Sequence, residues 1–274
     1  FYPKTSLGQA VRESARPEEW REYTEFMRGQ VKELGTRYGR LAGFWFDVGP
    51  YNGVNYPYEV GELERLVRTV QPSTLIMGRD FYAAEKSLKI FGYLDDSGRP
   101  GFLPFPPAAA NAWPFEVCDT LGKFWFYKAD DKVYRPTSEI LRRLVEVIGL
   151  GGNYLLNIGP KPSGEVDPGQ ELRLREIGVW LREYGAAVYG TRPGPFGHGA
   201  WGYSVQKGDR VYLHILNCPG AELVVADAHR KVVAAKFING VRIQFRQNDG
   251  RLNIHLGQTP RDPVDTIVAL ELAR

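Results

Sequence analysis

Alternation is the feature that most limits what this chain can become. Between Pro17 and Tyr184, helical periods take turns with short apolar runs. Trp20, Tyr23, Met27, Val31 and Leu34 recur at helical spacing with charges between them. That spacing predicts a helix over 17–34, with Gly35 as its stop. The run LAGFWFDV, Leu41 to Val48, is short, aromatic and closed by Gly49-Pro50, which predicts a buried strand. A second helix fits Glu59 to Val70, with Val60, Leu63, Val67 and Val70 on one face, and a second strand fits Leu75 to Gly78. From Phe91 to Trp113 no period survives, which predicts a long loop. A third helix begins at the N-cap pair Thr137-Ser138 and carries Leu141, Leu144, Val145 and Ile148. Gly151-Gly152 leads into a strand over Tyr154 to Ile158, and a fourth helix covers Pro168 to Tyr184. The pattern implies a parallel sheet with helices outside, either doubly wound or a (β/α) barrel.

After Gly190 the texture changes. WGYSVQ, RVYLHIL, ELVVAD, VRIQF and LNIHL are short alternating runs separated by Gly, Asp and Asn turns. They predict an antiparallel β-sandwich. The boundary falls in Thr191 to Pro195, which gives an α/β domain over 1–192 and a sandwich over 193–274. No internal repeat is evident.

Composition narrows the function classes. With 43% apolar residues in 274, the chain can bury a core, so it is not disordered. No run approaches the roughly 18 apolar residues of a membrane helix, so no membrane partner is expected. Thirty-five basic against 32 acidic residues leave a net +3 with the signs interspersed, and no basic stripe suggests nucleic acid. Cys118 and Cys218 are too few for a disulfide framework and read as small buried hydrophobes. The sequence opens on Phe1 and not on Met, as expected of a processed chain, a trimmed one or a part of something longer.

Carboxylates carry the candidate chemistry. Alternation along the first strand puts Trp45 and Asp47 on one side and Phe44 and Phe46 on the other. Asp47 stands at the C-terminal strand end, where barrels place their sites, and an indole beside it suits the C–H face of a sugar. The alternative is an Asp that caps the turn at Gly49. In MGRDFYAAEKS, Arg79 follows the second strand and can donate a forked pair of hydrogen bonds, with Glu85 beyond it. An ordinary surface ion pair is the other reading. Glu116, in WPFEVCDT, has apolar neighbours; burial there would raise its pKa, while a structural Glu bonded to backbone is equally consistent. All four histidines, His198, His214, His229 and His255, lie in or beside the sandwich segment. A histidine triad or zinc site in the α/β part is therefore not expected. The glycines of GLGGNYLLNIGP precede a strand and do not open a helix, so no nucleotide is expected. No cofactor or metal is implied. The remaining set fits either glycoside hydrolysis by a carboxylate pair or sugar binding.

GFWFDVG, WPFEVCDTLGKFWFY, LVEVIGLGGNYLLNIGPKPSGEV and IGVWLREYGAAVYGT closely resemble the α-L-fucosidases of glycoside hydrolase family 29. The tail, WGYSVQKGDRVYLHILNCPG to DPVDTIVALEL, resembles that family's C-terminal sandwich. The resemblance implies a (β/α) barrel-like catalytic domain, incomplete or compact, over 1–192. It implies a retaining exo-hydrolase of terminal α-linked L-fucose, acting on a fucosylated oligosaccharide or glycoconjugate. Asp47 matches the nucleophile of a W-x-D strand end. Arg79 and Glu85 match a sugar-contacting Arg and a following carboxylate, which makes Glu85 the first choice for acid/base. Glu116 matches a W-x-E-x-C variant, with Pro114-Phe115 inserted, and is the reserve. Trp125 matches an aromatic that walls the sugar pocket, and Tyr2 falls on a mid-barrel aromatic strand. The family's upstream His-Trp and His-His-Asp-Gly-Phe segments have no counterpart here. This implies a fragment, an enzyme completed by a homo-oligomer or by a complementing N-terminal half-barrel chain, or an inactive binding or scaffold remnant. A related glycosidase of other sugar specificity is the remaining alternative.

Overall fold

The computed structural model describes residues 17–46, 60–78, 87–92, 115–218, 220–257 and 261–273. They fall into two compact units. One holds the described residues up to Phe91 together with Phe115, and the other runs from Glu116 to the C-terminal strand.

In the first unit, helix α1 (Pro17–Arg37) is followed by strand β1 (Gly43–Phe46), helix α2 (Val60–Val70), and strands β2 (Leu75–Gly78) and β3 (Ser87–Gly92). The three strands pair in parallel, β1 with β2 and β2 with β3. Val31, Phe44, Leu63, Val67 and Ile76 form the core, with Met27, Leu41, Phe46 and Leu66 packed against it. Two expectations need correction. Gly35 does not stop α1, which continues to Arg37. A Cβ at Gly35 would run into the Val70 side chain, so this glycine lets α1 and α2 approach closely. The stop lies at Gly39, whose φ of +81° suits glycine, and the Gln71 amide donates to the carbonyls of Gly35 and Gly39 at 2.9 and 2.7 Å. The second correction is β3, a strand where none was predicted. Residues 93–113 of the predicted loop lie outside the described residues.

In the second unit, strand β4 (Phe115–Thr120) pairs in parallel with β5 (Asn153–Asn157), joined through helix α3 (Thr137–Gly149). Helix α4 (Pro168–Tyr184) follows β5, and a 3-10 turn over Gly185–Ala187 leads into eight antiparallel strands. These are β6 (Arg192–Gly199), β7 (Gly202–Lys207), β8 (Arg210–Ile215), β9 (Glu222–Val225), β10 (Val232–Phe237), β11 (Gln244–Asn248), β12 (Arg251–His255) and β13 (Thr266–Leu272). One sheet runs β10-β13-β8-β7-β6 and the other β11-β12-β9. Their facing sides enclose Val211, Leu213, Leu252, Ile254, Val268 and Leu270, all fully buried.

The larger sheet is covered on its other face as well. Leu141 and Val145 of α3 and Trp180 of α4 pack with Val205, Tyr212, Ile267 and Ala269 of the sheet in one core. His214 lies in the same layer, with Nδ1 2.6 Å from an Asp265 carboxylate oxygen and Nε2 3.1 Å from the Ala187 carbonyl. The predicted cap of α3 is a third correction. Pro136 holds the cap position without a side-chain bond, and the Thr137 hydroxyl donates instead to Glu176 of α4. Cys118 is buried as expected, whereas Cys218 is partly exposed, its Sγ against the carbonyls of Gly220 and Glu222.

The shared core makes a direct prediction. Leu141 is 2% exposed at the junction of helix and sheet. Leu141→Ala should lower the stability of the second unit by about 2–5 kcal/mol. Urea titration followed by far-UV circular dichroism checks this; a loss below about 1 kcal/mol would mean that the helices do not depend on the sandwich.

Candidate functional site

Of the seven candidate residues, Trp45, Glu116 and Trp125 are described. Tyr2, Asp47, Arg79 and Glu85 lie outside the described residues. In β1 the expected alternation holds: Phe44 is 6% exposed, its ring 5.9 Å from Phe46, while Trp45 turns the other way and is 43% exposed. Trp45 is the penultimate residue of a parallel strand as described, near its C-terminal end.

Glu116 is the second residue of β4 and is half-buried, not enclosed. It shares a sheet face with Cys118 of its own strand and, by register, with Asn153 and Leu155 of β5. The Cys118 thiol lies 3.8 Å from a Glu116 carboxylate oxygen. Leu155 on this face is 40% exposed.

Trp125 lies beyond the other end of β4, in the segment from Leu121 to Arg135 that precedes α3. It is half-buried, and its carbonyl accepts from Asn157 Nδ2 at 2.9 Å. The chain after β5 is held against it: Gly159 N–H donates to Gln170 Oε1 of α4 at 3.0 Å, and a Cβ at Gly159 would be 2.7 Å from the Phe126 carbonyl carbon. Phe124, Phe126, Lys123 and Lys128 complete an aromatic, cationic rim, with Lys128 Nζ 4.8 Å from the Phe124 ring centre.

What holds this strand end is a carboxylate that the sequence reading passed over. Asp119, fully buried in β4, pairs with Arg135, accepts from the Tyr154 hydroxyl at 2.8 Å and from the Thr120 N–H at 2.9 Å. Arg135 also donates to Glu139 at 2.8 Å. Burial is the largest single influence and works against the Arg135 charge, but the charge and hydrogen bond of Asp119, together with Tyr154 and Glu139, outweigh it and the guanidinium is held more firmly protonated. Burial, and then the Asp119 charge, push the Tyr154 phenol far up, so it serves as a neutral donor. An Asp in an otherwise largely apolar strand, Phe115–Thr120, with an Arg and a Tyr downstream, is the available signal. Its partners lie 16 and 35 residues away, beyond any local period.

Asp167 plays a similar part at α4. It caps the helix through Gly169 N–H at 3.0 Å and accepts from Lys132 Nζ at 2.7 Å and the Tyr134 hydroxyl at 2.8 Å. The Lys132 bond foremost, then those from Tyr134 and Gly169, hold its carboxyl down at about 2. Among the described residues, no three His, Cys, Asp or Glu side chains group as metal ligands, and no helix is long and apolar enough to cross a membrane.

Comparison with known proteins adds the context that the geometry lacks. Residues 3–186, more than half of the chain, match the alpha-L-fucosidase family. Human tissue alpha-L-fucosidase is 40% identical over 92 residues, a stretch that takes in 32% of this chain and 20% of the human protein. Rat plasma alpha-L-fucosidase is 36% identical over 121 residues, 42% of this chain and 25% of that protein. Among solved structures, alpha-L-fucosidase isoenzyme 1 from Paenibacillus thiaminolyticus superposes with a TM-score of 0.76 at 26% identity, over 98% of this chain and 66% of that one. A family 29 fucosidase from Bacteroides thetaiotaomicron, solved as a trapped covalent intermediate, gives 0.76 at 24% identity over 93% and 62%, a likeness of fold. The chain thus spans under two thirds of the length of these relatives. The fold class is α/β, a (β/α) barrel-like part followed by a C-terminal antiparallel β-sandwich.

Two measurements test the supporting network. Asp119→Ala leaves the buried Arg135 with only the partly exposed Glu139 as a carboxylate partner and should cost about 3–5 kcal/mol, against about 1 kcal/mol for Tyr154→Phe, both by urea titration. For Asp167 the folded carboxyl is held below its unfolded value, so its stabilisation is present at neutral pH and fades as pH falls toward about 2. The melting-temperature gap between wild type and Asp167→Asn should therefore be widest near neutrality, begin to narrow near the usual carboxylate range and be nearly closed at about pH 2. A gap that widens on acidification would contradict the assignment.

Proposed function

Since the chain belongs to the α-L-fucosidase family, we propose that it contributes to the hydrolysis of terminal α-linked L-fucose from a fucosylated oligosaccharide or glycoconjugate, with retention at the anomeric carbon. The observation that carries this is the extent of the family match. It runs from residue 3 to residue 186 and so takes in Asp47, Arg79, Glu85, Glu116 and Trp125. In this reading the Asp47 carboxylate attacks the anomeric carbon and forms a glycosyl ester while a carboxylic acid protonates the departing oxygen. That second group, now a carboxylate, takes a proton from water, and the water opens the ester. Glu85 is the first choice for this role and Glu116 the reserve. Arg79 holds sugar hydroxyls, and Tyr2, Trp45 and Trp125 supply apolar faces to the ring. No metal or redox cofactor enters the scheme.

We also propose that the chain associates, as a homo-oligomer or with a complementing N-terminal half-barrel chain. An apolar Leu155 that is 40% exposed on the sheet face it shares with Glu116 supports association. Light scattering of the purified chain should give more than a monomer mass; a well-folded monomer would contradict it.

Aryl α-L-fucoside kinetics test the chemistry. Asp47→Gly should lower kcat by about 10³-fold or more. The Glu→Gln variant at the true acid/base should lose about 10²–10⁴-fold on the oligosaccharide. It should lose far less on a substrate whose leaving group needs no proton, and azide should then yield a fucosyl azide. Unchanged turnover in Asp47→Gly would reject the mechanism. A wild-type chain that binds fucose without turnover would identify a binding remnant.

A further inference from the structure

The segment after β4 is a closed loop with a rigid frame. Arg135 N–H donates to the Leu121 carbonyl at 3.0 Å, which joins its two ends, and Leu121 N–H donates to the Asn157 carbonyl at 3.0 Å, which ties that base to β5. The Thr120 hydroxyl donates to the Gly122 carbonyl at 2.6 Å, and an Asp131 carboxylate oxygen crosses the loop to accept from Lys123 N–H at 3.0 Å. Compact loops with adjoining ends are frequent carriers of function. This one emerges at the C-terminal ends of parallel strands, the end at which (β/α) folds carry out their chemistry.

Phe126 is the residue that this frame does not explain. Its backbone is clamped, since the neighbouring Trp125 carbonyl is held by Asn157 and the chain passes Gly159 so closely that a Cβ there would clash with the Phe126 carbonyl. Yet its side chain is 65% exposed. Behind it the Phe124 ring lies 5.6 Å away at 33°, and Phe124 is itself covered by the Lys128 ammonium. The result is a braced aromatic face offered to solvent, where a buried anchor would gain more from the hydrophobic effect.

We propose that Phe126 is the platform for the leaving-group sugar, the pyranose to which the fucose is joined. The inference rests on the fucosidase reading, in which Trp125 walls the fucose; the adjacent, more exposed ring then meets what lies beyond it. A pyranose presents a face of C–H groups, which carry partial positive charge and complement the negative face of an aromatic ring. Phe126 is thus a specificity-determining residue and takes no part in bond making.

The test compares two substrates on the full chain. α-L-Fucosyl fluoride has a leaving group of one atom and cannot reach the platform, whereas 2′-fucosyllactose places a galactose there. In Phe126→Ala, the ratio of kcat/KM for the trisaccharide to that for the fluoride should fall about tenfold. Phe126→Trp should restore it, with melting temperatures recorded for both variants. An unchanged ratio, or an equal fall on both substrates, overturns the platform and leaves the fucosidase reading standing. A wild-type chain that leaves the fluoride intact overturns that reading and this inference with it.

Discussion

The buried carboxylate of Asp119 is the interaction on which the described part of the site depends. It lies fully buried near the C-terminal end of a parallel strand pair, where an unpaired charge would be prohibitive. Arg135, Tyr154 and the Thr120 N–H supply the partners. Each comes from a different direction: Arg135 from the end of the loop before α3, Tyr154 from β5 and Thr120 from β4 itself. The charge therefore fixes three elements relative to one another. The loop from Leu121 to Arg135 hangs from that point, with Trp125 and Phe126 along it.

A second constraint works through packing. The sheet β10-β13-β8-β7-β6 has a core on each face, one shared with β9, β11 and β12 and one shared with α3 and α4. The sandwich is thus not an appendage tethered by a linker. It is the surface on which the two helices bury their apolar sides, and α3 follows the strand and loop that carry Glu116 and Trp125. Asp265 and His214 add a buried polar tie between the sheet and the Ala187 carbonyl, where α4 ends.

Much of this was legible in the sequence, because it is periodic. The four helices, the β1 and β2 runs and the change of texture at Gly190 all follow from spacing and turn residues. The readings that failed turned on distant partners. Gly35 resembles a helix stop until Val70 of the next helix is placed against it. Thr137 resembles a cap until Glu176, 39 residues on, claims its hydroxyl. Strand β3 has alternating Leu88 and Ile90, but the signal is only six residues long and borders a Gly- and Pro-rich stretch. Among the described candidate residues, the exposed Trp45 of the first unit and the half-buried Glu116 and Trp125 of the second are legible in the sequence, and Asp119 is not. A residue that satisfies buried partners leaves no local pattern.

The central claim is that Asp47 becomes covalently bonded to fucose. The most direct test is labelling with 2-fluoro-fucosyl fluoride, in which the 2-fluorine slows both formation and hydrolysis of the ester while the good fluoride leaving group keeps formation fast, followed by peptide mass spectrometry. The account predicts one added fluorofucosyl mass on the peptide that contains Asp47, and none in Asp47→Gly. A label on another carboxylate, or turnover of fucosides with no label at all, would contradict it.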